Sequence, residues 1–201
     1  MVNLDKVKSL AILGDTDTGK TNLAVSHLRN YKGNKEIYLL GYPIRVYKDP
    51  NKHDRGYFKE LSNFSDIFRV NNSIIFIDEL QKFIKVYDRK ANIDLMDLIS
   101  TFAHRGNCLM FNTQLSQFIT KGVEAFIDCW NITRLVDLAA LKNGSKPKRV
   151  IQNTTHPKCN KWSLSLENGE YLEYSEKNDI GDNGVKKFRN QNVAKDWKDI
   201  C

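Results

Sequence analysis

The chain has 201 residues, 41% hydrophobic and 27% charged, with a net charge of +7 at neutral pH. These values suit one α/β domain, or one domain with a small appendage, and exclude a chain too polar to bury a core. No apolar run approaches the roughly 20 residues that span a bilayer, and the first residues, charged and followed by a strand pattern, do not read as a leader. The basic charge favours an acidic partner such as nucleic acid over a surface that is merely soluble. Cys108, Cys129, Cys159 and Cys201 show no C-x-x-C spacing. His156 lies near Cys159, but nothing completes a zinc set, so the thiols read as reduced and structural in a cytosolic protein.

In chain order, Val7–Leu13 reads as a first strand. Thr18–Tyr31 reads as the following helix, with Leu23, Ala24, His27 and Leu28 on one stripe and Lys32-Gly33-Asn34 as its stop. Glu36–Leu40 is a second strand. Ile44–Gly56, with Arg45, Lys48, Lys52 and Arg55, is a long basic surface loop, and Tyr57–Val70 is expected to be helical. Ser73–Ile77 is almost wholly apolar, hence a central strand buried on both faces. Leu80–Val86 and Ile93–His104 read as helices with a break near Arg89–Asn92. Cys108–Phe111 is another central strand, running into Asn112-Thr113-Gln114, and Cys129–Thr133 is a further one.

The texture changes after Val136. Lys142–Arg149 is a basic loop with Gly and Pro. Val150–Gln152, Trp162–Leu166 and Tyr171–Tyr174 alternate like short antiparallel strands, with a hairpin turn at Glu167–Gly169. Lys177–Gly184 is a loop and Val185–Cys201 a weak helix. The pattern predicts an α/β fold, a mostly parallel sheet flanked by helices, with a small β-rich C-terminal extension. Residues 1–136 form the expected core, and residues 137–201 extend the same domain.

Two motifs carry chemistry. Gly14-Asp15-Thr16-Asp17-Thr18-Gly19-Lys20-Thr21 matches G-x-x-x-x-G-K-[ST], with a strand before it and a helix after it. In such a P-loop the glycines let backbone N–H groups face phosphate oxygens, and the helix N-terminus adds partial positive charge. Lys20 reaches the β- and γ-phosphates and Thr21 offers its hydroxyl to Mg²⁺. Asp15 and Asp17 are unexpected beside a triphosphate. Ile74-Ile75-Phe76-Ile77-Asp78-Glu79 supplies the second half. Asp78 would hold Mg²⁺ through water and Glu79 would polarise the attacking water. Alone this is a common pattern, a buried strand ending in two solvated acids; following a P-loop it indicates ATP hydrolysis.

P-loop ATPases with a catalytic glutamate, the RecA-like or ASCE group, insert a strand between these two motifs. The strand that ends in Phe111-Asn112-Thr113-Gln114 would be that strand. Its end, Asn112–Gln114, is then either the start of a polar loop or the place of a γ-phosphate sensor, Gln114. The order of P-loop, IFIDE, a helix ending in Ala103-His104-Arg105-Gly106, and Cys108–Gln114 resembles the HerA–FtsK superfamily over roughly Val7–Thr133. That superfamily includes the genome-packaging ATPases of tailless, membrane-containing icosahedral viruses. The chain also resembles, more distantly, zonula-occludens-toxin and filamentous-phage assembly ATPases.

The resemblance implies a homo-oligomeric ring, a hexamer or pentamer, that hydrolyses ATP and moves double-stranded DNA. Such a motor would work in the host cytoplasm or on a virion, at a capsid or portal vertex. Arg105 is the first candidate for a finger that reaches a neighbour's nucleotide and Arg134 the second, though a helix-terminal arginine also serves simply to meet the helix dipole. A phage assembly or secretion ATPase is the alternative function, a non-motor P-loop enzyme a more distant one. The chain departs from the pattern at Gly41-Tyr42-Pro43, where many members carry an acid and a proline, and in lacking further P-loop glycines. DNA contacts would fall on phosphates, with Arg45–Arg55 and Lys142–Arg149 as candidate loops unless these are only solvated.

Overall fold

The computed structural model describes residues 2–41, 58–84, 89–114, 121–141, 143–177 and 183–188. Eight strands among them are β1 (Ser9–Leu13), β2 (Glu36–Leu40), β3 (Phe58–Glu60), β4 (Ser73–Ile77), β5 (Cys108–Thr113), β6 (Cys129–Ile132), β7 (Glu170–Ser175) and β8 (Gly184–Lys187). The α-helices are α1 (Lys20–Arg29), α2 (Arg89–His104), α3 (Lys121–Glu124) and α4 (Lys146–Asn153). One sheet holds all the strands in the order β3-β2-β4-β5-β1-β6-β7-β8. The strands from β3 to β6 are parallel, while β7 and β8 join antiparallel at the far side. β5 therefore lies between the strand that feeds the P-loop and the strand that ends at Asp78, as the sequence predicts.

The two-residue period of a strand sends alternate side chains to opposite faces, and here each face meets its own core. Ala11, Leu13, Ile75, Ile77, Leu109, Phe111, Trp130 and Ile132 pack with Leu95, Leu98, Ile99 and Phe102 of α2. Leu10, Ile12, Ile74, Phe76, Cys108, Met110 and Cys129 pack with Leu23, Ala24, Val25 and Leu28 of α1. Continuous apolar runs such as SIIFI are what a strand covered on both faces requires. The same alternation aims Asn112, Asn131 and Glu173 at the α1 side. Because β1, β4, β5 and β6 are parallel, Gly14, Asp78, Gln114 and Thr133 all emerge at one edge of the sheet.

Several elements differ from the sequence expectation. Tyr57–Val70 is not one helix: Phe58–Glu60 adds an edge strand to β2, and a 3₁₀ turn, Phe64–Arg69, follows a break at Ser62-Asn63. Leu80–Val86 contains a 3₁₀ turn at Leu80–Lys82, because Glu79 before it is left-handed, with φ 57°. No break separates Arg89–Asn92 from the next helix; α2 already runs from Arg89, through residues that favour helix. Val150–Gln152 is helical within α4, whose first turn holds Pro147, a residue suited to a helix start. Trp162–Leu166 makes only isolated bridges, from Leu164 to Leu135 and Cys159, so no hairpin forms across the Glu167–Glu170 turn. Gly184–Lys187 is a strand, not helix, because it finds the open edge of β7. The basic segment Ile44–Gly56, Cys201 and most of the expected tail helix lie outside the described residues.

Candidate nucleotide-binding site

The loop between β1 and α1 is held by specific contacts. Gly14 has no room for a side chain, since a Cβ there would come 1.8 Å from Thr133 Oγ1 at the end of β6. Gly19 stands at the helix entrance with φ 85°, a region glycine enters without strain. Asp17 is also left-handed, at φ 57°, which a short acidic side chain tolerates better than most. Thr18 is buried; its hydroxyl donates to the Asp15 carbonyl at 2.7 Å and lies 2.7 Å from Thr133 Oγ1. Thr16 and Asp17 are exposed. Asp15 has a structural explanation: its Oδ2 accepts from Val136 N at 2.7 Å and its N–H donates to the Arg134 carbonyl at 3.2 Å. It fastens the loop to the segment after β6.

Lys20 is buried in the first turn of α1, and its Nζ donates to the Asp15 carbonyl at 2.6 Å. Burial lowers its pKa, opposed by the carboxylates of Asp15, Glu79, Asp78 and Asp17. Such an ammonium, backed by a helix N-terminus, favours an anionic ligand.

A polar cluster closes the site on the β4–β5 side. Thr21 Oγ1 donates to Asp78 Oδ1 at 3.1 Å. Asn112 Nδ2 donates to the same Asp78 oxygen at 2.5 Å and to Thr21 Oγ1 at 3.2 Å. The Asn112 carbonyl oxygen accepts from Glu79 N–H. Asp78 is buried, and burial raises its pKa, countered by the hydrogen bonds from Asn112 and Thr21. The Glu79 carboxylate is ion-paired with Lys82 and accepts from Gln114 Nε2 at 3.4 Å. Gln114, Glu79, Asp78, Thr21 and Lys20 thus stand together, and the fold of the loop places Gly14–Gly19 beside them.

Arg105 is not brought to this site. It follows α2 at the opposite edge of the sheet, where its guanidinium donates to the Phe68 carbonyl and its own carbonyl accepts from Asn72 N at 2.9 Å. The six residues of β5 separate it from the loop by roughly 20 Å at the rise of an extended strand. Arg134 is exposed and flanks the loop through its carbonyl contact with Asp15.

No family model matches the chain, and no curated protein matches it in sequence. Its fold does match solved structures. The DNA-packaging ATPase B204 from Sulfolobus turreted icosahedral virus aligns with a TM-score of 0.58 and 14% identity, over 90% of this chain and 97% of B204. The genome-packaging NTPase B204 from Sulfolobus turreted icosahedral virus 2, in complex with AMPPCP, aligns with a TM-score of 0.61 and 14% identity, over 94% and 99% of the two chains. The chain has the fold of a P-loop ATPase. The pCW3 conjugation coupling protein TcpA, solved with ATPγS, aligns with a TM-score of 0.54 and 13% identity, over 100% of this chain and 67% of TcpA.

Within this P-loop ATPase fold, three residues of the site were not assigned a part by the sequence reading. Asn112 organises Asp78, Thr21 and Glu79; its signal was a carboxamide near the end of an apolar central strand. Thr133 underlies Gly14 and Thr18, with no signal beyond a polar residue after a strand. Lys82, three residues after Glu79, was legible only as a helix-spaced ion-pair partner. The residues fit Mg²⁺ as a ligand shared with phosphate. Thr21 and Asp78 offer hard oxygen donors, and among the described residues no three His, Cys, Asp or Glu side chains gather to hold a metal alone.

Proposed function

We propose that this chain hydrolyses ATP with Mg²⁺ and couples hydrolysis to the movement of double-stranded DNA, as a viral genome-packaging ATPase working in a ring. The observation that carries the reading is the Thr21–Asp78–Asn112 cluster, set beside Lys20 and Glu79 at one edge of a parallel sheet. Support for the DNA function comes from the basic charge and from a fold that matches B204 along almost its whole length.

In this reading the loop N–H groups, the α1 dipole and Lys20 bind the triphosphate. Thr21 and Asp78 would hold Mg²⁺, which when bound would supply positive charge against the phosphates. Asn112 sets both groups in place beforehand, so little reorganisation is needed at the moment of reaction. Glu79 orients the attacking water and takes up its proton. Its carboxylate is engaged by Lys82 and Gln114, so turnover requires that one oxygen be turned toward water. Arg105 lies too far from its own loop to act there and would serve a neighbouring copy; Arg134 is the alternative finger. Of the two basic segments, the described part of Lys142–Arg149 enters α4. There Arg149 is exposed, Lys148 Nζ donates to Asn143 Oδ1 at 2.8 Å and Lys146 pairs with Glu176 at 3.1 Å. Lys148 and Arg149 are the candidates for phosphate contacts.

The test is steady-state phosphate release with and without duplex DNA over a salt series, alongside native mass. The reading expects an oligomer whose turnover rises with DNA of any sequence, an effect that fades steeply as salt increases. A monomer with DNA-independent turnover would contradict it.

A further inference from the structure

Phe188 stands just past the end of β8, at the same sheet edge as the P-loop. β7 is antiparallel to β6 and β8 antiparallel to β7, so β8 runs in the direction of β1 and delivers Phe188 to the edge where Gly14 and Asp78 emerge. The ring comes close to the loop itself: a Cβ on Gly19 would meet Phe188 Cζ at 3.4 Å. It is not a free end. Its N–H donates to the Gly169 carbonyl at 2.8 Å, and its ring packs on Tyr171 with centroids 6.0 Å apart. Tyr171 packs in turn on His27 of α1 at 5.8 Å, edge to face. A short aromatic ladder thus runs from inside the domain to the lip of the nucleotide loop. Tyr171 is buried, whereas Phe188 remains partly exposed.

The side on which Phe188 lies decides what it faces. Glu79 and Gln114 stand on the β4–β5 side of the loop and mark the γ-phosphate end of the site. A triphosphate laid across the start of α1 with that polarity sends its sugar and base the other way, toward β6, β7 and β8. We infer that Phe188 is the stacking platform for the nucleotide base, supplied to the P-loop by the last strand of the sheet. This rests on the nucleotide reading given above. An aromatic face stacks on any base, so the platform contributes affinity without requiring a particular base. It also gives β7 and β8 a part in the site.

The experiment separates base from phosphate. Binding of ATP and of inorganic tripolyphosphate, each with Mg²⁺, is measured by calorimetry for wild type, Phe188→Ala, Phe188→Leu and Phe188→Trp. Phe188→Leu keeps apolar cover over Tyr171 and guards against loss of folding. The expected result is ATP binding weakened by about tenfold or more in the Ala and Leu variants, the scale of base–aromatic stacking. Tripolyphosphate binding should stay within about twofold of wild type, and Phe188→Trp should restore ATP affinity. Unchanged ATP affinity in Phe188→Leu, or equal losses for ATP and tripolyphosphate, would overturn the platform while leaving the phosphate site standing. A wild-type protein that binds neither ligand would overturn the nucleotide reading and the platform with it.

Discussion

Asn112→Leu removes the side chain on which most of the site's polar contacts converge, while keeping nearly the same volume. The wild-type carboxamide is buried and makes three hydrogen bonds, to Asp78 Oδ1, Thr21 Oγ1 and Glu79 N–H. A bond to a carboxylate contributes about 1.5–3 kcal/mol and a neutral one about 1 kcal/mol. The loss is greater where a partner is left unsatisfied, as the Glu79 N–H would be once its acceptor is gone. A destabilisation of about 3 kcal/mol or more is expected, which in a chain of this length lowers the melting temperature by roughly 6–12 °C. ATP turnover should fall too, because Thr21 and Asp78 lose the group that fixes their relative position. Asn112→Asp restores an acceptor for Glu79 N–H but sets a second carboxylate against Asp78, so it should not rescue either property at neutral pH. The assay is thermal unfolding of the free protein, paired with phosphate release at saturating Mg·ATP. Asn112→Leu melting within about 2 °C of wild type, or turning over normally, would refute the reasoning.

Glu79→Gln keeps shape but loses the charge that polarises water; it should bind ATP and hydrolyse it on the order of 10²-fold more slowly. Normal single-turnover hydrolysis would move that role elsewhere. Arg105→Ala and Arg134→Ala are distinguished by mixing each with Lys20→Ala. A finger acting between copies should lose about 10³-fold in turnover alone and regain part of it in the mixture, once subunit exchange is shown by native mass of tagged chains. No rescue for either would remove both arginines from that role. His27 is buried and its imidazole is pushed down to about 3, first by burial and then by the charges of the N-terminus and Lys186. The unfolded chain protonates near 6.5, so stability is full above that value and is lost as pH falls toward 3, at about 1.4 kcal/mol per unit. Urea midpoints of wild type should drop between pH 7 and pH 5 more than those of His27→Gln; equal slopes would contradict this.

The P-loop and the strand before Asp78 were legible because their information is local: glycines at fixed spacing, and an apolar run too short for a helix and too continuous for a half-exposed strand. The insertion of Cys108–Thr113 between Ser9–Leu13 and Ser73–Ile77 followed from a resemblance, not from periodicity, since pairing order leaves no mark on the strands themselves. The misread elements share a cause. Phe58–Glu60 and Gly184–Lys187 are strands of three and four residues that exist because a sheet edge was available to them. Val150 and Ile151 are β-branched residues that suit a strand, yet with Pro147 they form the buried face of an eight-residue helix capped by Ser145. Within the site, Asp15 could not be explained from sequence because its partner, Val136 N–H, lies 121 positions away. Arg105 follows a helix that precedes a strand, and in a parallel sheet such a helix ends at the edge away from the chain's own P-loop, so the finger role expected of it would belong to a neighbouring copy.

The central claim is that Gly14–Thr21 binds the triphosphate whose hydrolysis Glu79 promotes. Its most direct test is phosphate release from Mg·ATP by purified wild type and Lys20→Ala, with Mg·ATP binding measured on the same samples. Wild type should bind and hydrolyse ATP, while Lys20→Ala, still folded, should lose productive binding and release no phosphate above background. Undiminished hydrolysis by folded Lys20→Ala would contradict the account.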